Sequence, residues 1–116
     1  MEIQGLGIDS ANITRFRALL TKRKDRFISN TFSKTEQKYC FSFRDSATHL
    51  AGTFAAKEAV RKAVGAGRLP MRAVEIRRGK TGKPQVWIRE KCSKSIHVSI
   101  THEGTSACAV ALCQTV

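Results

Sequence analysis

Residues 46–64 read Ser46-Ala47-Thr48-His49-Leu50-Ala51-Gly52-Thr53-Phe54-Ala55-Ala56-Lys57-Glu58-Ala59-Val60-Arg61-Lys62-Ala63-Val64, and this stretch decides the fold. The pattern predicts one long helix, stopped by Gly65 and Gly67. Leu50, Phe54, Arg61 and Val64 mark one side of it; Ala47, Ala51, Ala55, Glu58 and Lys62 mark an adjacent stripe. Small residues along that stripe let a neighbouring element pack close. Glu58 is therefore expected in a crowded place rather than in open water.

Toward the N-terminus, Ile3-Gln4-Gly5-Leu6-Gly7-Ile8-Asp9 reads as a strand, with Leu6 and Ile8 on one face and Gly5, Gly7 and Asp9 on the other. Glycines weaken a strand but admit another backbone or a ligand. Ser10 or Asn12 can cap the helix that follows, read as Ile13 to Phe27 with Ile13, Phe16, Leu20 and Phe27 in its apolar stripe. Ser33-Lys34-Thr35-Glu36 is a capping-box pattern opening a short helix through Tyr39 and Cys40, with Phe41-Ser42-Phe43 expected to anchor in the core. After Pro70 the period changes to two. Strands are predicted at Ala73–Arg77, Gln85–Arg89 and His97–Thr101, and Ala107–Cys113 reads as a strand covered on both faces. With no repeats, linkers or low-complexity segments, residues 1–116 are expected to form a single compact α+β domain, an antiparallel sheet packed against helices.

The 116 residues carry 21 Lys+Arg against 9 Asp+Glu, a net charge of +12, with 41% hydrophobic residues. That hydrophobic content is too high for a disordered basic tail. No apolar run approaches the roughly 18 residues of a membrane span, and an acidic Met1-Glu2 start does not suit a signal peptide, so a cytoplasmic protein with no membrane partner is expected. Cys40, Cys92, Cys108 and Cys113 form no C-x-x-C pair, which argues against zinc and for reduced, structural thiols. The charge calls for an anionic partner without saying which.

Three constellations could carry chemistry. Asp9 and Glu58, acids from different elements, are the kind of pair that holds Mg²⁺ with phosphate oxygens and waters completing the shell; the plainer reading pairs Glu58 with Lys62 at i, i+4. Lys80-Thr81-Gly82-Lys83-Pro84 offers a close backbone and two cations to a phosphate, though Gly-Lys-Pro hairpins are mostly turns and the P-loop spacing is absent. His102 stands just past a strand end beside Thr101 and Glu103. On the first helix, bases outnumber acids six to one between Arg15 and Arg26, making that face a candidate docking surface.

Gly7-Ile8-Asp9, Ile13-Thr14-Arg15, Phe54-Ala55-Ala56-Lys57-Glu58-Ala59, Gly82-Lys83-Pro84 and Val98-Ser99-Ile100-Thr101-His102, in that order, resemble the motifs of the holo-[acyl-carrier-protein] synthases, the small bacterial type of 4′-phosphopantetheinyl transferase. The resemblance runs from Gly5 to about Leu112. It implies Mg²⁺-dependent transfer of 4′-phosphopantetheine from coenzyme A to a serine of an apo acyl carrier protein, with release of adenosine 3′,5′-bisphosphate, in fatty acid biosynthesis. Carried onto this chain, it implies Asp9 and Glu58 as metal ligands. Lys57 and Lys62 would neutralise phosphates, with Lys62 also orienting Glu58. Gly82, Lys83, Pro84, Thr101 and His102 would hold the adenosine and its 3′-phosphate. Arg15, Lys22 and Arg26 would receive the acidic carrier protein. It further implies a homotrimer with sites between subunits. The base that takes the serine proton stays open between Glu58 and a metal-bound water. Thr53 departs from the family's usual arginine, Asn12 from an acid and Thr101 from a serine. A nucleic-acid-binding module, favoured by charge alone, and a non-catalytic carrier-protein docking subunit are the alternatives. The first lacks any aromatic-interleaved basic strand; the second has no need of both acids. No nucleic acid partner is expected.

Overall fold

The computed structural model describes residues 2–21, 25–65 and 67–115. Strand β1 (Ile3–Asn12) leads directly into α1 (Ile13–Thr21); α2 (Asp25–Thr31), α3 (Lys34–Phe41) and α4 (Ser46–Val64) follow. A single 3₁₀ turn, Met71–Ala73, precedes β2 (Val74–Arg78), β3 (Pro84–Ile88), β4 (Lys91–Cys92), β5 (Ile96–Glu103) and β6 (Ser106–Gln114). The strands form two antiparallel sheets, ordered β1-β6-β5 and β2-β3-β4. Among the described residues no helix is long and apolar enough to cross a membrane.

Helix α4 has the bounds its sequence predicts and forms the spine of the molecule. Ala55, Ala56, Ala59, Val60 and Ala63 are buried against Val74, Ile76 and Val86 of one sheet and Ala109 and Ala111 of the other. Its earlier turns, Ala47, Leu50 and Ala51, bury Ile13, Phe16, Ile28 and Phe32 from the other helices. The closest approach is to β1. A Cβ added at Gly5 would lie 1.8 Å from the carbonyl oxygen of Ala63, and one at Gly7 would lie 2.0 Å from that of Ala59. The glycine face of β1 thus lies on the backbone of α4, and Leu6 and Ile8 point away from it, 65% and 62% exposed.

Several local readings differ from expectation. The single helix drawn from Ile13 to Phe27 is two helices, α1 and α2, with residues 22–24 between them outside the description. The aromatic contacts give the reason. The rings of Phe16 and Phe27 are 6.0 Å apart, whereas in one straight helix eleven residues would separate them by about 16 Å along its axis. Asn12 does act as a cap, its Oδ1 accepting the Arg15 N–H at 3.1 Å. The capping box at Ser33 forms in both directions. Phe41 and Phe43 are exposed rather than anchored, because the chain leaves α3 at Ser42, and Phe43 stacks on His49 at 3.6 Å. Strand β6 is covered on one face only: Ala107, Ala109 and Ala111 are buried, while Val110 is 40% exposed. All four cysteines are free, and burial pushes the Cys40 thiol up to about 11, in keeping with an unreactive structural thiol.

The glycine contact makes a direct prediction. Gly7→Ala should destabilise the fold by about 3 kcal/mol, since the clash is with helix backbone that cannot rotate aside. The midpoint of urea unfolding should fall accordingly; an unchanged midpoint would mean that β1 does not need this approach.

Candidate active site

Asp9 lies on the glycine face of β1, two residues beyond Gly7, and this brings its carboxylate to α4. The Lys62 ammonium donates to Asp9 Oδ1 at 2.9 Å and to the Ile8 carbonyl oxygen at 2.9 Å. The Asp9 side chain is only one-fifth exposed. Glu58, one turn before Lys62, is half-buried and accepts from Arg61 Nη1 at 3.0 Å, while Arg61 Nε donates to the Leu69 carbonyl at 2.6 Å. Two corrections follow. Lys62 is tied to Asp9 rather than orienting Glu58, because the close β1–α4 packing brings Asp9 within its reach. Glu58 takes its cation at i, i+3 rather than i, i+4. Arg61 was read only as part of a helix side; the i, i+3 spacing was the signal that could have found it.

Lys57 is a third correction. Its side chain is fully buried, donating at 2.7 Å both to Glu36 Oε1 and to the Thr31 carbonyl oxygen. Position 57 is turned about 100° from Glu58 around the helix and faces α2 and α3 instead of Asp9 and Glu58. Glu36 joins the pieces: its carboxylate also accepts the Ser33 N–H of the capping box and the Ile76 N–H of β2. Burial pulls the Lys57 ammonium down and pushes the Glu36 carboxyl up, each partly offset by the other's charge. Removing one partner from such a pair costs about 3–5 kcal/mol, so Lys57 here holds three elements together and is not free to meet a phosphate.

The Gly82-Lys83-Pro84 turn closes β2 onto β3, with Gly82 at φ +85°, and Gly79 both donates to Lys83 and accepts from Gly82. Lys83 and Pro84 open onto a cavity of about 280 Å³ with His97 and Val98, whereas Thr101 and His102 line a separate cavity of about 460 Å³ with Glu103, Ser106 and Cys108. Among the described residues these two sets line different cavities. Nearby stands a group the sequence reading missed. Arg78 lies 4.8 Å over the Tyr39 ring, and its Nη1 comes within 3.5 Å of the Gly82 carbonyl. Tyr39, Phe43 and His49 pack edge and face beside it. Burial, with the charges of Arg78 and His102, holds His49 below its ordinary value. Thr53 is buried, its hydroxyl 3.5 Å from Cys40 Sγ, and presents no charge.

On the helical side, Arg15 is exposed on α1 and Arg26 on α2; Lys22 lies outside the described residues. Arg17, on the opposite side of α1 from Arg15, is held by Asp45 at 2.9 Å. Among the described residues no three His, Cys, Asp or Glu side chains gather to hold a metal.

The comparisons with known proteins agree with this architecture. The family model for the 4′-phosphopantetheinyl transferase superfamily matches residues 5–113. The holo-[acyl-carrier-protein] synthase of Chlorobaculum parvum is 35% identical over 113 residues, covering 94% of this chain and 97% of that protein. That of Chlamydia muridarum is 42% identical over 118 residues, covering 95% and 94%. Among solved structures, the Bacillus anthracis synthase in complex with CoA (3′,5′-ADP) superposes with a TM-score of 0.81 at 28% identity, covering all of both chains. The Helicobacter pylori synthase in complex with coenzyme A gives 0.79 at 29% identity, covering 94% of this chain and 99% of that one. The chain belongs to the 4′-phosphopantetheinyl transferase superfamily, and within it to the holo-[acyl-carrier-protein] synthases. It is an enzyme, and the docking-subunit alternative falls away.

Proposed function

We propose that this chain moves the 4′-phosphopantetheine arm of coenzyme A onto a serine of an apo acyl carrier protein and releases adenosine 3′,5′-bisphosphate. The carrying observation is the placement of Asp9. Its carboxylate and the Ile8 carbonyl form an oxygen-lined position that already accepts the ammonium of Lys62, which stands one turn along α4 from Glu58. Oxygen donors from two carboxylates suit a hard cation that keeps several waters and substrate phosphate oxygens, so these residues fit Mg²⁺. Asp9 and Glu58 would hold it, and when bound it would stabilise charge on the leaving phosphate oxygens.

The chain's own part is positioning and charge. The serine oxygen forms a new bond to the pantetheine-linked phosphorus as the bond to the bridging pyrophosphate oxygen breaks, and the hydroxyl proton passes to Glu58 or to water. Lys62, half-exposed on the acid site, is free to turn from Asp9 toward that developing negative charge. Arg61, anchored on Leu69, keeps Glu58 in place. Incubated with coenzyme A, Mg²⁺ and an apo carrier protein, the chain should add one phosphopantetheine to the carrier, seen by mass spectrometry. Asp9→Ala and Glu58→Ala should each lower that rate by about 10³-fold or more, with unchanged circular dichroism. Full activity in either variant would remove it from the metal site.

Gly82, Lys83 and Pro84, with Thr101 and His102, are the proposed holders of the adenosine end, and Arg78 is added to them. Its guanidinium, ordered by Tyr39 beside the Gly82 turn, supplies the charge that Thr53 does not. Arg78→Ala should raise KM for coenzyme A about tenfold while leaving kcat within threefold. Equal falls in kcat and kcat/KM would instead assign it to the transition state.

The proposed partner is an acidic carrier protein, received by the exposed Arg15 and Arg26, and the proposed site of action is the cytoplasm, in fatty acid biosynthesis. The proposed assembly is a homotrimer. Its support is the outer face of β1 and β6, where Ile8 opposes Val110 and Leu6 opposes Leu112 in register, an apolar row with Leu6, Ile8 and Val110 exposed and Leu112 half-buried on an otherwise highly charged chain. Sedimentation equilibrium should return three times the 12.8 kDa chain mass, and Ile8→Asp should return the monomer. A monomeric parent chain would leave that apolar face without its proposed cover.

A further inference from the structure

A second basic cavity lies away from every residue assigned above. It measures about 600 Å³ and is lined by the 3₁₀ turn, the first residues of α3, part of β2 and the turn between β3 and β4. Lys34, Arg72, Arg77 and Arg89 bring four cations to it, against the carboxylates of Glu75 and Glu90. These cations come from four separate places in the sequence, so their convergence is a product of the fold rather than of a basic run. None of Asp9, Glu58, Lys62, Gly82, Thr101 or His102 lines it.

We infer that this cavity binds a small organic anion carrying two or more phosphate groups, at a site separate from the transfer site. Among the described residues, Lys34, Arg72 and Arg89 make no ion pair, so three of the four cations face the cavity with only the carboxylate of Glu90 left to offset them. Glu75 does not neutralise them, because one of its oxygens accepts from Arg77 Nε at 2.8 Å and the other from Ser33 Oγ at 2.5 Å. Arg77 is further fixed by lying 3.9 Å over the Trp87 ring. The turn carrying Arg89 is pinned as well, its N–H donating to the Ala73 carbonyl at 2.9 Å. The frame is thus set before any ligand arrives, while three cations repel one another across it, an arrangement that a polyanion relieves. The volume falls in the range of small-molecule sites, roughly 300–1,000 Å³, and a lone phosphate would leave most of it open.

Backbone amide NMR, titrating the full chain with pyrophosphate and then with adenosine diphosphate at constant ionic strength, tests this. Saturable shifts are expected at Lys34, Arg72, Glu75, Arg89 and Glu90. The midpoint at these amides should weaken about tenfold or more in the Arg72→Ala/Arg89→Ala double variant and stay within twofold in Lys62→Ala. Adenosine diphosphate should bind at these amides more tightly than pyrophosphate. All substituted residues are exposed, and each variant's own spectrum reports its fold. Shifts that fail to saturate, that appear only near Asp9 and Lys62, or that survive the double substitution would overturn the site. Adenosine diphosphate binding no more tightly than pyrophosphate would overturn its organic ligand class.

Discussion

The structure depends on two backbones touching. Gly5 and Gly7 let β1 lie against the carbonyl oxygens of Ala63 and Ala59, at a separation that leaves no room for a side chain on the strand. Everything at the acid site follows from that contact. Because β1 sits on α4 with no layer of side chains between, Asp9, the next residue on the same face, meets Lys62 directly. A strand held one side chain further out would carry Asp9 out of that reach. The alanines of α4 serve the same end, burying the opposite sheet with small residues and so keeping both layers close to the helix axis.

Much of this was legible in the sequence because it depends on local rules. Helix α4 announces itself by composition and by the glycines that end it, and the capping box at Ser33 specifies its own geometry. The face assignment of β1 needed only alternation and two glycines. What escaped depends on contacts far apart along the chain. Phe27 returning to Phe16 breaks the first helix, and no local pattern around residues 22–24 signalled it. Lys57 looks like a phosphate ligand when read beside Glu58, but its partner is Glu36, twenty-one residues away. Glu36 itself was legible only as a capping residue, and its second oxygen, bonded to β2, turned it into the joint of three elements.

The net charge of +12 divides by location once the fold is known. One share stands on α1 and α2, one surrounds the acids and the Gly82 turn, and one gathers at the start of α3 with Arg72 and Arg89. The last could not be anticipated, since its members are scattered from residue 34 to residue 89. Arg78 joins the middle group partly for a similar reason: the Gly82 turn is four residues on in its own hairpin, but it meets Tyr39 only because β2 and α3 are neighbours.

The bond between Lys62 and Asp9 has one more consequence. Proteins whose metal ligands are left bare repel themselves until the ion arrives, and some then cannot fold without it. Here the carboxylate nearest the helix has a tethered counter-ion of its own, one that can swing aside on a flexible stem. The chain can therefore complete its fold with this charge already balanced, and under the proposed reaction metal and substrate would arrive afterwards, the acid site falling back on its own lysine when they leave.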